Sequence, residues 1–212
     1  MATVGDCVST YKVGMQLYTA EGPAIVRELI TAGRHIFLDL KYHDIPTTVG
    51  SAVREAGKLG VSMLTVHASG GRKMLQAAME AARGVNPELM VLGVTVLTSM
   101  DENDLEEIGA RSKVLDQVLR LAELAIGCGC QGIVTSAHET AQVRSRLGHE
   151  FAIVNPGIRP TGTGRGDQSR VVTPAEAMAA GATHIVVGRP ITEAANPRAE
   201  TQLILDQMTS AV

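Results

Sequence analysis

The run Phe37-Leu-Asp-Leu-Lys-Tyr-His-Asp-Ile-Pro-Thr-Thr48 sets two opposite charges two residues apart inside an otherwise apolar strand pattern. Alternate residues of a strand share a face, so Asp39, Lys41 and His43 are predicted to point one way and Leu38, Leu40 and Tyr42 the other. Asp39 and Lys41 would then stand about 7 Å apart along the chain. An inward charge without a partner costs several kcal/mol, so the two must pair. Lys12, on the preceding apolar run, adds a second inward cation. A structural ion pair would use the same residue types. Three inward charges on adjacent strands, where Val, Ile and Leu would fill a core, point instead to a reacting centre.

A second cluster runs Asn155-Pro-Gly-Ile-Arg159-Pro-Thr-Gly-Thr-Gly-Arg-Gly-Asp-Gln168 and is followed by Gly188-Arg189-Pro190. Glycines at 157, 162, 164 and 166 free backbone N–H groups, and with a guanidinium these form a cradle for a phosphate dianion. Alone, such a loop reads as flexible surface. Arg189 at the end of the apolar run HIVVGRP favours phosphate, with Gln168 able to close over the same ligand. Arg165 and Arg170 read as solvated loop charges. His67 ends an apolar strand and reads first as a hydrogen-bonded structural histidine, with His43 as a buttress to the charged cluster. His138 and His149 read as surface residues, and Ser69-Gly70-Gly71 as a turn without the lysine of a P-loop.

The elements that must position these residues are short β-rich runs, each followed by a helix-period segment. The runs are Tyr11–Leu17, His35–His43, Ser62–His67, Met90–Leu97, Gly132–Ser136, Phe151–Asn155 and His184–Gly188. Amphipathic helices are predicted over Pro23–Thr31 and Ser112–Ile126. Thr173-Pro174-Ala175-Glu176 reads as a capping box with Pro at N1, and Asn196-Pro197 opens the last helix in the same way. Strands alternating with helices imply βαβ units and a parallel sheet. No GxGxxG follows the first strand, and charges end several different strands. The choice therefore falls on an α/β (β/α)8 TIM barrel over a doubly wound sheet. Seven strands are predicted, in one domain spanning residues 1–212, with the first barrel strand expected to be missing ahead of Tyr11.

The chain has 212 residues, 45% of them hydrophobic, and a formal net charge of −3. That is enough apolar matter for one sizeable core, and the charge argues against a nucleic-acid or membrane-surface partner. Aromatics are only 2%, which also disfavours stacking on single strands. No membrane span and no secretory signal are expected. Cys7, Cys128 and Cys130 read as small apolar residues of a reduced, cytoplasmic protein, and the scattered histidines give no metal site.

DLKYHDIPTT, with YKVGMQL upstream and VTVLTS, NPGIRP, GDQ and VVGRPI downstream, resembles the orotidine 5′-monophosphate decarboxylase family over essentially the whole chain. The resemblance implies a homodimeric barrel that converts orotidine monophosphate to uridine monophosphate and CO₂ without metal or organic cofactor. It implies that Lys41 is the catalytic lysine, that Asp39 lies beside the substrate carboxylate, and that Lys12 pairs with them. Asp44 and Thr48 would reach the neighbouring subunit's site. Thr98, Arg159, Gln168, Gly188 and Arg189 match substrate-binding positions, Thr98 near the pyrimidine and Gln168 and Arg189 on the phosphate. It also implies an N-terminal strand, ending in a ribose-binding Asp, that would precede Lys12; the chain is expected to be incomplete there, with ribose binding and stability weakened.

Two other functions fit parts of the pattern. A Mg²⁺-dependent sugar-phosphate decarboxylase or aldolase of the same superfamily would share Asp-x-Lys-x-x-Asp but would carry further acidic ligands. A non-catalytic nucleotide-binding barrel would not need to keep Lys12, Asp39, Lys41 and Asp44 together.

Overall fold

The computed structural model describes residues 3–160 and 172–210. Strand β1 (Thr10–Gly14) runs into α1 (Met15–Glu21) and α2 (Pro23–Thr31), and β2 (His35–Tyr42) into α3 (Pro46–Lys58). Strand β3 (Met63–His67) leads through a short 3-10 turn to α4 (Gly71–Val85), and β4 (Met90–Val94) to α5 (Glu102–Glu107) and α6 (Val114–Gly127). Then follow β5 (Gly132–Val134), α7 (Ala137–Leu147), β6 (Ala152–Asn155), α8 (Pro174–Ala179), β7 (His184–Ile185), α9 (Arg189–Thr192) and α10 (Pro197–Thr209). The strand order is the chain order, β1 to β7, and the β1–β2, β2–β3, β3–β4 and β6–β7 pairs are parallel. These are the seven strands expected from the sequence.

The chain divides into two compact units, Ser9–Thr95 with Arg120–Ile133, and Met1–Val8 with Val96–Leu119 and Val134–Val212. In the first unit the core is aliphatic: Val13, Ile36, Leu38, Leu64, Leu92, Met74, Leu75 and Met79 are all fully buried. Helix α4 presents Met74, Leu75, Ala78, Met79 and Ala82 as one buried stripe, the helical spacing of a core-facing side. It packs on α3, whose Val49, Gly50, Val53, Ala56 and Gly57 are buried. Gly57 is small for a reason, because a Cβ there would run into Val85.

In the second unit Ala137, Ile158, Ala177 and Ala182 form a small core, with Val172, Ile185 and Val187 packed against it. Arg144, 6% exposed, donates from Nε to Gly181 O (2.9 Å) and from Nη1 to Gly148 O (3.2 Å) and Phe151 O (3.0 Å). Buried Asn155 donates from Nδ2 to Thr135 O (2.8 Å), and its side chain also bonds the Thr140 hydroxyl. The α8 capping box is present as expected: the Thr173 hydroxyl accepts from Glu176 N–H, while the Glu176 carboxylate accepts from Thr173 N–H. Asn196 caps α10 through Ala199 N–H.

Several strands are shorter than their apolar runs. Tyr11–Leu17 is strand only to Gly14; Met15–Glu21, rich in good helix formers and with a single β-branched residue, is helix instead. Met90–Leu97 stops at Val94. Gly132–Ser136 stops at Val134 because Ser136 is already the N-cap of α7, its hydroxyl accepting from His138 N–H. His184–Gly188 is strand only over His184–Ile185, Gly188 being the N-cap residue of α9. Helix α5 was not anticipated, although Asp101 and Asp104 form a reciprocal capping box that opens it.

Candidate active site

The charged cluster lies in the first unit, at the C-terminal ends of β1 and β2. Parallel pairing sets Lys12 against Phe37 and Gly14 against Asp39. The expected plain alternation of β2 fails in the middle. Leu38 pairs with Leu64 but Tyr42 with Val66, so Asp39, Leu40 and Lys41 together stand opposite Thr65 alone. This is a bulge, a device that re-aims side chains. Lys41 sits at φ +51°, and among the described residues it is the one non-glycine with a positive φ. The left-handed region crowds Cβ against the backbone and is costly for any L side chain.

The charges meet at their side-chain tips. Lys41 Nζ lies 2.8 Å from Asp39 Oδ1, and Lys12 Nζ lies 3.6 Å from Asp39 Oδ2. One carboxylate therefore spans two ammonium groups. The side chain of Asp39 is 12% exposed, against 25% for Lys41 and 36% for Lys12. The carboxylate is more enclosed than either lysine side chain, and Lys12, expected from the sequence as an inward cation, is exposed.

Thr65, fully buried at the centre of β3, is the residue that sequence reasoning missed. Its Oγ1 accepts from Lys41 N–H (2.9 Å) and donates to Asp39 Oδ1 (3.1 Å). A signal was present: Thr65 is the one hydroxyl in the run MLTVH. His67, two residues on, is half-buried, and its ring lies 5.3 Å from that of His43. Burial, then His43 and Lys41, lower the His67 pKa from 6.5, with Asp39 opposing. His43, expected as a buttress, packs on His67 and is exposed. Tyr42 is half-buried, and burial together with Tyr18 pushes its phenol up to about 12.

Asp44 and Thr48 are not gathered into this cluster. Both are exposed, and Asp44 Oδ1 accepts from Ile45 N–H at 2.6 Å as the chain enters α3. The remaining candidates belong to the second unit. Thr98 is half-buried in the turn after β4. Arg159 is half-buried, and its N–H donates to Val172 O (3.1 Å) beside an Ile158–Val172 bridge. Gly188 caps α9, and exposed Arg189 is that helix's first residue. Gln168, Arg165, Arg170 and the glycines at 162, 164 and 166 lie outside the described residues. Among the described residues no three His, Cys, Asp or Glu side chains gather as a metal-ligand set. Cys128 and Cys130 are buried, and burial raises the Cys130 thiol to about 12, which fits apolar packing residues.

A chain of parallel β/α units that gathers a Lys-Asp-Lys set at neighbouring strand ends defines a TIM-barrel-type enzyme class. Its structural neighbours are of that fold. The crystal structure of orotidine 5′-phosphate decarboxylase from Lactobacillus acidophilus matches with a TM-score of 0.83 and 37% identity, over 93% of this chain and 85% of that one. The orotidine 5′-phosphate decarboxylase of Hydrogenovibrio crunogenus is 48% identical over 95% of this chain and 84% of its own length. That of Vibrio cholerae is 48% identical over 95% and 86%. Residues 1–204 match the model of the orotidine 5′-phosphate decarboxylase / HUMPS family, and the chain belongs to that family.

Proposed function

We propose that the chain decarboxylates orotidine 5′-monophosphate to uridine 5′-monophosphate and CO₂, a step of pyrimidine biosynthesis. The observation that carries this reading is the Asp39 carboxylate held between the Lys12 and Lys41 ammonium groups. When the C6–carboxylate bond breaks, its electron pair stays on C6, where no adjacent carbonyl can take it up. A cation fixed at that carbon stabilises the developing charge. Lys41 Nζ supplies the cation and then donates a proton to C6, leaving a neutral amine that regains its proton from water. Asp39 fixes Lys41 on one side and meets the substrate carboxylate on the other, and Lys12 offsets the resulting crowding of negative charge.

Thr98 is assigned to the pyrimidine, Arg159 and Gly188 to substrate binding, and Gln168 and Arg189 to the phosphate. Phosphate binding far from the reacting carbon supplies energy that can be spent on orientation there. The test is direct: adding purified protein to orotidine monophosphate should remove its absorbance and release one CO₂ per nucleotide, and chelator should not slow it. Conversion that stops on chelation would favour the Mg²⁺-dependent lyases instead.

The assembly assigned to this activity is a cytoplasmic homodimer in which Asp44 and Thr48 complete the other subunit's site. Mixing inactive Lys41→Ala and Asp44→Ala chains should restore activity, since each heterodimer has one site carrying both defects and one carrying neither. Demonstrated heterodimers without activity would contradict shared sites.

A further inference from the structure

We infer that Thr65 is a positioning residue for the reaction, acting through Lys41 and Asp39 without touching the substrate. The inference rests on the decarboxylase reading of this site and deepens it. A backbone N–H can only donate, so the Thr65 oxygen must accept from Lys41 N–H. The single hydroxyl proton is then left for Asp39 Oδ1, 3.1 Å away, which also takes Lys41 Nζ at 2.8 Å. The bonding is one-way: Lys41 backbone to Thr65, Thr65 to Asp39, and Lys41 ammonium to the same carboxylate oxygen. One hydroxyl thus closes a ring joining both ends of the lysine to its counter-ion.

Three observations set this apart from a hydroxyl that merely satisfies itself in a core. Thr65 is fully buried in an apolar strand, where a valine would pack as well. It stands opposite the three residues that depart from regular pairing. Its acceptor bond also falls on the residue held at φ +51°. Without that bond the bulge loses the contact that holds its unfavourable backbone, and the ammonium moves relative to the carboxylate. Misplacing a reacting group by about 1 Å costs about 100-fold in rate.

The experiment measures kcat and KM for orotidine monophosphate in the unsubstituted protein, Thr65→Val and Thr65→Ser, with circular dichroism as a check on folding. Thr65→Val keeps the volume and loses both bonds; kcat should fall about 10- to 100-fold with KM within about twofold. Thr65→Ser keeps the hydroxyl and should hold kcat near the unsubstituted value. A Thr65→Val enzyme with unchanged kcat overturns the inference and leaves the decarboxylase reading standing. Loss in Thr65→Ser as large as in Thr65→Val overturns it too, because the hydroxyl would then not be what matters. If Thr65→Val does not fold, Thr65→Ser decides: retained kcat supports the inference and a fall of about tenfold or more overturns it. An unsubstituted protein that converts no orotidine monophosphate sinks the decarboxylase reading and the inference with it.

Discussion

Two polar clusters in this chain end their hydrogen bonds in different ways. In the second unit Arg144 spends its guanidinium on the carbonyls of Gly181, Gly148 and Phe151, and Asn155 donates to that of Thr135. Backbone carbonyls cannot leave, so these bonds tie chain segments together. In the first unit Lys41 and Lys12 spend their charge on one side chain, Asp39, and both remain more exposed than Asp39 is. An ion pair of this kind can be re-formed around a substrate. What separates the two clusters is the kind of acceptor, main-chain carbonyls in one and a side-chain carboxylate in the other.

The sharpest way to break this comparison is to remove a charge from each cluster. Lys41→Ala should lower turnover of orotidine monophosphate at least about 10,000-fold, since it removes both charge stabilisation and the proton donor. Melting should change little, because Asp39 keeps Lys12 and Thr65 as partners. Near-normal kcat in this variant would end the catalytic assignment.

Arg144→Met should do the reverse. Three carbonyls lose a charged donor, for a cost of about 3 kcal/mol in denaturant unfolding. The kcat of the folded fraction should be unchanged; a variant as stable as the original would show that the carbonyl ties hold little.

The smallest expected effect sharpens the comparison through pH. His67 has its pKa lowered in the fold, so the folded state binds its proton less readily than the unfolded chain does. Stability is therefore unpenalised above the ordinary value of 6.5 and declines as pH falls through and below it. His67→Gln should flatten that decline in thermal melts between neutral pH and pH ~5. A slope from His184, whose pKa burial also lowers, should remain. Identical acid-side slopes in the two proteins would remove His67 from the account.

Much of this organisation is legible in the residues because it is local. The span of α2 follows from its apolar periodicity, and the Thr173–Glu176 box and the Asn196 cap from helix-end chemistry acting over three or four residues. The pairing of Lys12, Asp39 and Lys41 was also within reach, since opposite charges on neighbouring strands attract, although Lys12 turns out to be exposed. The bulge was not. Period-two alternation assumes one residue per rung, and nothing in Asp39-Leu40-Lys41 announces three residues against one. Thr65 went unseen for the same reason: its role exists only once the neighbouring strand has lost its regular rungs. The shortened ends of β4, β5 and β7 reflect a related limit, because apolar side chains are wanted at strand ends and in the first turns beyond them alike.

The left-handed backbone at Lys41 has a consequence for how this chain can be altered. Glycine would occupy φ +51° without a Cβ to crowd, so on backbone grounds the residue most welcome at position 41 is one that has no ammonium. Selection for stability alone would drift toward it, and so would a laboratory screen that scored only soluble, heat-resistant protein. On the proposed reading, turnover is what a lysine at position 41 adds in exchange for that backbone cost, so folding and work compete at this one residue.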